Sequence, residues 1–159
     1  MYYTILIIFL IYLSEIGAYF WHRWGTHSDI IPHSLGVQRT HNIHHSIIDD
    51  KAHGDFFYVI IGLLILFGVI IYLIVKNKIT YTTALMIYLP ILFVFLWNWY
   101  IHSAYHTKDH WLLEYQWFKD DKRIHMQHHI NPNVNYGIVT HFSDVIFDTF
   151  DYGFTNCNL

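Results

Sequence analysis

Three apolar stretches, each long enough to cross a lipid bilayer, constrain the fold of this chain more than any other feature. They cover about 2–20, 56–75 and 81–101, and a spanning helix needs roughly 20 mostly apolar residues. The composition agrees, since 54% of the 159 residues are hydrophobic and only 13% are charged. We therefore predict an all-α, integral membrane helical bundle with about three transmembrane helices, built as one domain over residues 1–159.

Two details refine these spans. The first stretch carries a single charge, Glu15, and lacks the basic start and small-residue cleavage site of a signal peptide. We therefore expect it to be retained as an anchor. The third stretch contains Pro90, where a helix is expected to kink. The short aromatic stretch 111–118 cannot span a bilayer and suits a helix at the membrane surface.

Only residues 76–80 separate the second and third stretches, so these two are predicted to form a hairpin. The segments 21–55 and 102–159 then lie on the same side of the membrane. All fourteen histidines fall in these two segments, as do seven of the nine basic residues: Arg23, Arg39, Lys51, Lys108, Lys119, Lys122 and Arg123. Because basic residues favour the cytoplasmic side, we predict a cytoplasmic, histidine-rich helical cap.

Ten histidines form four clusters, two within 22–45 and two within 102–129. They are His22, His27, His41, His44, His45, His102, His106, His125, His128 and His129. Each half of the chain has one spaced pair followed by one HxxHH triple. Positions i, i+3 and i+4 share a helix face, so all three imidazoles of a triple are predicted to point at one spot. His22 and His27, five residues apart, converge only if their turn frays or contains a π-bulge.

Ten imidazoles are too many for one metal ion, so the sequence favours two. Imidazole nitrogens suit iron, zinc, copper or nickel, and the sequence does not choose among these metals. A structural zinc site would close with four ligands, often thiolates, and Cys157 is the single cysteine. The other four histidines are interpreted as ordinary surface or core residues: His33, His53, His110 and His141. No basic run indicates nucleic-acid binding.

The order of these motifs resembles the fatty acid hydroxylase and sterol desaturase superfamily of membrane di-iron enzymes, and it is also similar to carotenoid hydroxylases. Residues 19–23 are similar to the family's aromatic-x-x-His-Arg box. After the last triple, 135–137 (Asn-Tyr-Gly) and 144–149 resemble the family's ending. Two positions depart from that ending, because Ser143 stands where the family usually has Trp and Asp148 where it usually has Gly.

The resemblance implies a centre of two iron ions, with zinc as a substitute in purified material, and dioxygen as co-substrate. It implies hydroxylation of a lipid (fatty acyl, sterol or carotenoid), with electrons from a separate b-type cytochrome or ferredoxin-like reductase system. For a eukaryotic source, it implies the endoplasmic reticulum. One alternative is a lipid desaturase with the same centre. Another is a non-enzymatic membrane metal-binding or transport protein, which would need a polar path that 56–75 lacks.

Four polar residues are candidates for orienting the ligand histidines around the metal centre, which itself performs the catalysis. Glu15 precedes His22 by seven residues, two helical turns, and its carboxylate could either orient a histidine or extend toward water. Asn98, four residues before His102, raises the same question. Asn135 and Asp144 match the family ending, where such residues fix the loop or the ligands. Turn and cap chemistry is the alternative interpretation for both.

Overall fold

The structure is a computed structural model that describes residues 2–47 and 53–153, with 53–55 described by their backbone alone. Lys51 and Cys157 lie outside the described residues, and so does the side chain of His53. Within the described ranges the chain is helical and contains no strand. The predicted all-α class is therefore confirmed.

Three of the helices are long and apolar enough to cross a membrane, as the sequence predicts. They are α1 (Tyr2–Phe20), α3 (His53–Val75) and α4 (Tyr81–Tyr105). The third helix runs four residues beyond the predicted end at 101, and Pro90 lies inside it. Side chains such as Phe9, Leu64 and Phe93 are exposed on the outer faces, as expected for helices surrounded by lipid.

The turn between α3 and α4 has specific terminating interactions. Asn77 adopts a left-handed conformation with φ 52°, and its N–H donates to the Ile74 carbonyl at 2.9 Å. The Lys78 N–H donates to the Leu73 carbonyl at 2.9 Å. This pair of bonds is the Schellman ending of a helix. Thr80 then begins α4 by accepting a hydrogen bond from the Thr83 N–H at 3.2 Å.

The remaining elements form a cap at the end of the bundle where α1 ends, α3 begins and α4 ends. They are a π-helical turn (Trp21–Thr26), a 3-10 turn (His33–Leu35), α2 (Val37–Ser46), a second 3-10 turn (Trp111–Glu114), α5 (Gln116–Ile130) and α6 (Phe142–Ile146). In the bundle itself, α4 packs against both α1 and α3. Because α4 is central, its C-terminal end reaches the middle of the cap.

The prediction of a single helix over 111–118 is wrong in one respect. The stretch is divided at Tyr115, where the backbone is extended, into the second 3-10 turn and the start of α5. The division lets Trp111 stay exposed while Phe118 is completely buried. Phe118 packs in a small apolar core between the end of α4 and α5, whose members are Ile101, Ala104, Tyr105, Leu112 and Phe118. This core fixes α5 against the end of α4.

Candidate metal centre

The structure brings all ten box histidines together and arranges them as two groups of five. Within each group, one ring nitrogen from every histidine lies within 4.8 Å of the others. The first group contains His22, His27, His41, His45 and His128. The second group contains His44, His102, His106, His125 and His129. Each group could hold a metal ion.

The expectation that the three histidines of a triple point at one spot is wrong. In α2, His41 and His45 belong to the first group and His44 to the second. In α5 the division is reciprocal, with His128 in the first group and two histidines in the second. The reason is helical geometry: at about 100° per residue, positions i and i+4 lie about 40° apart, whereas i+3 and i+4 diverge by about 100°. One triple therefore faces two neighbouring sites.

The π-helical turn explains how His22 and His27 reach the same group. Its wider turn brings positions five residues apart onto one side, and the two ring centroids are 5.2 Å apart. The bulge considered from the sequence is therefore present. Gly25 allows Trp21 to pack against this turn, since a Cβ at Gly25 would lie 2.9 Å from the indole ring. The turn thus directs two imidazoles into the first histidine group and one indole toward the spanning helices.

Backbone carbonyls orient two histidines of the first group. His22 Nδ1 lies 2.6 Å from the Tyr136 carbonyl oxygen, and His128 Nδ1 lies 2.7 Å from the Val134 carbonyl oxygen. Because a carbonyl oxygen only accepts, each Nδ1 must carry the proton. The lone pair of each neutral ring is then on Nε2, as in metal-ligating histidines whose other nitrogen is hydrogen-bonded.

The inward-facing nitrogens have the spacing of ligands around a metal ion. Ligand nitrogens about 2.1 Å from an ion and at right angles to each other are about 3.0 Å apart. Six Nε2–Nε2 distances fall between 2.8 and 3.1 Å. They join His27–His41, His27–His128, His41–His45, His44–His102, His106–His125 and His125–His129. An uncharged all-nitrogen donor set of this kind fits iron, zinc, copper or nickel.

The electrostatics of the cap keep these ligand candidates neutral. Burial is the main cause that lowers their pKa, and the neighbouring imidazoles lower it further because several positive charges cannot be placed together. This holds for His27, His41, His125, His128 and His129. Neutral imidazole is the form that binds metal.

The two groups adjoin one another. The rings of His45 and His129, one from each group, stack with centroids 4.3 Å apart and planes 18° apart. His44 of the second group also lies close to His45 of the first group, with ring centroids 5.8 Å apart. Because each triple contributes to both groups, α2 and α5 connect the two groups into one centre.

Asp144 holds the loop between α5 and α6 (131–141), whose carbonyls orient two histidines of the first group. This completely buried carboxylate accepts hydrogen bonds from the N–H groups of Tyr136 and Gly137, both at 2.8 Å, and from the Thr149 hydroxyl at 2.8 Å. A Cβ at Gly137 would overlap the Thr140 carbonyl and lie 2.7 Å from the Asp144 carboxylate. The family-like Asn-Tyr-Gly sequence therefore has a local cause: only glycine permits this close approach.

Asn135 connects the same loop to the C-terminal part of the described chain. Its amide donates to the Asp151 carbonyl at 2.7 Å and accepts from the Asp151 N–H at 2.8 Å. Its backbone is left-handed, with φ 54°, a conformation that asparagine tolerates better than most residues. Turn chemistry is thus visible at Asn135 and Asp144, and the turn it builds is the one that touches His22 and His128.

Glu15 is buried and does not extend toward water. One carboxylate oxygen accepts from the Asn98 amide at 3.0 Å, and the other accepts from the Thr140 hydroxyl at 3.2 Å. The Asn98 amide also donates to the Val94 carbonyl at 2.9 Å. The carboxylate therefore joins α1, α4 and the loop that carries Tyr136.

Several groups that support the histidines have no signature in the sequence. Backbone carbonyls at Val134 and Tyr136 can be supplied by any residue type, and Thr140 lies far from Glu15 along the chain. Tyr105, whose ring stacks against His125 at 5.2 Å with planes 26° apart, follows box His102 by three residues. Its proximity to that box was the one available signal.

Three further histidines lie outside both groups. His33 pairs with Asp29 at 3.2 Å on the exposed surface. The His110 ring nitrogen accepts from the Leu112 N–H at 3.3 Å. His141 lies 3.5 Å from the carboxylate of Asp121.

An apolar cavity reaches the histidines from the membrane side. It has a volume of about 80 Å³ and is lined by residues of α1, α3 and α4 as well as by His22, His41 and His102. Asn98 is among its few polar lining residues. These three histidines are therefore accessible to an apolar molecule that lies between the spanning helices.

The fold and the site define a class: a membrane protein with two adjoining histidine groups suited to metal ions. The family model described as fatty acid hydroxylase matches residues 7–149, which is most of the chain. The chain therefore belongs to the fatty acid hydroxylase family, and this membership indicates an oxidoreductase. No curated protein and no solved structure gave a significant match.

Proposed function

We propose that this protein hydroxylates a membrane lipid with dioxygen, using two iron ions held by the ten box histidines. The observation that carries the proposal is the adjacency of the two histidine groups, together with an apolar cavity that opens onto three of their members. Family membership supports the same class of reaction. The substrate class proposed is fatty acyl, sterol or carotenoid lipid.

Each histidine group would hold one ion through its inward-facing nitrogens. Bound iron supplies the redox chemistry with which dioxygen oxidises an unactivated C–H bond. The chain itself holds the ligands in place: the carbonyls of Val134 and Tyr136 fix two imidazoles, and Asp144 and Asn135 hold the loop that carries those carbonyls. Glu15 connects that loop to α1 and α4 through Thr140 and Asn98.

The cavity walls position the substrate. Phe56, Phe95 and Trp99 line the approach to the histidines, and Phe56 stacks on Trp99 with centroids 4.3 Å apart. Apolar walls exclude water and leave a hydrocarbon chain as the best occupant. A lipid could thus present one carbon to the centre while its remaining chain stays among the spanning helices.

The cap is proposed to face the cytoplasm, because the segments that form it carry most of the basic residues. A redox protein of the b-type cytochrome or ferredoxin-like reductase kind would deliver electrons there. In a eukaryotic cell the endoplasmic reticulum is the proposed location, with dioxygen and lipid both available in that membrane.

The test is isotope incorporation. Iron-loaded protein in lipid nanodiscs receives a chemical reductant, membrane lipid extract and heavy-isotope dioxygen, and the lipids are examined by mass spectrometry. The expected product is a lipid with one labelled oxygen atom, absent with the His128→Ala/His129→Ala variant. A dehydrogenated lipid without label would show desaturation instead. Iron-loaded protein that changes no lipid would contradict the proposal.

A further inference from the structure

A second cavity continues from the first into the bundle. Its volume is about 330 Å³, and it shares Trp21, Val59 and Phe95 with the cavity at the histidines. The other lining residues extend away from the cap along α1 and α3: Gly17, Tyr58, Gly62, Leu63 and Leu66. The two cavities together, which we call the groove, therefore form one path from the metal-facing histidines into the bundle.

The length of the groove matches a lipid chain. On α3 its lining extends from Phe56 to Leu66, ten residues, which corresponds to about 15 Å along a helix. The hydrocarbon core of a bilayer is about 30 Å thick. The groove thus runs from the capped end of the bundle to roughly the middle of the membrane.

The groove is apolar and open at its side. The Tyr58 hydroxyl, a polar group beside it, already donates to the Leu35 carbonyl at 2.7 Å. Gly17 and Gly62 are exposed, and a Cβ added at either glycine would meet no atom within 4 Å. These two positions therefore leave space that a larger side chain could fill without displacing a neighbour.

We infer that the groove holds the part of the lipid chain beyond the reacting carbon, and that Gly17 and Gly62 set the longest chain it admits. The inference rests on the proposed function and adds a specificity to it. The occupant is a hydrocarbon chain because the walls are apolar and the groove lies within the spanning helices. It is the substrate's chain because the groove ends at His22, His41 and His102.

Photo-crosslinking tests the inference without requiring turnover. Iron-loaded protein in nanodiscs, without reductant, is exposed to a long and a short saturated fatty acid, each bearing a diazirine at its methyl end. Attachment sites are mapped by peptide mass spectrometry. The variants are Gly17→Leu and Gly62→Leu. Gly68→Leu is the control, because Gly68 is equally unobstructed on α3 but lies six residues from Gly62, about 240° around the helix.

In the native protein the long probe should label α3 near Leu66, whereas the short probe should label nearer Phe95. Gly17→Leu and Gly62→Leu should each lower labelling by the long probe about tenfold, since a filled groove excludes the chain end. Both should preserve labelling by the short probe, and Gly68→Leu should change neither.

Equal labelling of all variants by the long probe would overturn the inference, as would an equal loss in Gly68→Leu. The outcome is separable from that of the isotope experiment. The expected labelling pattern without oxygen incorporation would retain the groove as a lipid site and refute the hydroxylase proposal. The groove variants could instead incorporate oxygen with the same preference for chain length as the native protein. That result would retain the hydroxylase proposal and refute the groove assignment.

Discussion

The two histidine groups have matching composition but different support. The first group is held from outside by a loop: the carbonyls of Val134 and Tyr136 fix two of its imidazoles, and Asp144 fixes the loop. The second group lies on regular helix ends against an apolar core, where Tyr105 stacks on His125. One site therefore depends on hydrogen bonds between distant segments, and the other on side-chain packing.

This difference shows how one repeated motif can serve two sites. The HxxHH triples of α2 and α5 contribute two histidines to one group and one to the other, so neither group is formed by one half of the chain alone. The supporting contacts, in contrast, are not shared. Substitutions in the loop and in the core should consequently affect the two groups unequally.

The largest effect is expected from adjacent substitutions in one triple. His128→Ala should remove the ion of the first group and retain that of the second, whereas His129→Ala should do the reverse. Each variant should keep about one ion per chain, because the substitution leaves one group with an incomplete set of four histidines and the other group with all five. Elemental analysis gives the count, and iron spectroscopy distinguishes which site remains. Indistinguishable spectra from the two variants would contradict the division into groups.

Removing the core beside the second group should produce the next largest effect. Phe118→Ala empties a completely buried position whose ring lies 5.1 Å from that of Tyr105. The expected loss is about 3–5 kcal/mol in the free energy of unfolding, with metal lost first from the second group. Chemical denaturation in detergent measures it. Phe118→Leu, which conserves more volume, is the control and should cost much less.

Asp144→Asn tests the loop that supports the first group. The substitution replaces a carboxylate that accepts three hydrogen bonds, and metal affinity of the first group should fall about 10- to 100-fold. The second group should be unchanged. Competition with a chelator measures both affinities. Asp120→Asn, at an exposed carboxylate paired with Arg123, is the matched control. A similar loss of affinity in both groups would refute separate support.

The loop should also respond to pH. Burial alone would lower the pKa of His141, but the carboxylates of Asp121 and Asp144 together raise it to about 9, above its ordinary 6.5. The folded protein therefore retains a proton that the unfolded chain releases. This stabilisation is complete below pH 6.5 and is lost as the pH rises through about 9.

Thermal unfolding of the native protein and of His141→Gln measures this effect. The Tm of the native protein should fall across that window, while the variant should show a smaller change. Equal slopes for the two proteins would exclude His141 as the cause. Metal bound to the first group should weaken in the same range.

The smallest effect is expected at Asp148, an exposed residue with a left-handed backbone at φ 53°. This is one of the two departures from the family ending, which has glycine here. Asp148→Gly should stabilise the fold by up to about 1 kcal/mol, because glycine adopts this conformation without steric cost. The Tm should rise slightly while the metal content stays the same. A lower Tm would indicate that the Asp148 side chain stabilises the turn.

Much of this architecture follows from the sequence because its causes are local. The long apolar stretches fix the three spanning helices, and the five-residue spacing of His22 and His27 allows only a frayed or bulged turn. What spacing does not reveal is the division of each triple, since i, i+3 and i+4 share a face wide enough for two ions. That division depends on how α2 and α5 pack.

The contacts that support the histidines are harder to predict from the sequence, for a different reason. Glu15 was a candidate because a charge inside a spanning helix is costly, but its partner Asn98 lies 83 residues away. The ligand-orienting carbonyls belong to the backbone and have no residue signature. At Tyr115 the predicted surface helix is interrupted, because burying Phe118 in the core requires α5 to start in a new direction.

The number of metal ions per chain tests the two-group metal centre directly. Protein purified in detergent and loaded with ferrous iron without oxygen is analysed for iron and for protein concentration, with the His128→Ala/His129→Ala variant as reference. We predict two irons per native chain, and we expect neither site of the variant to retain its iron. One iron per chain, or two that persist in the variant, would contradict a centre built from two groups of five histidines.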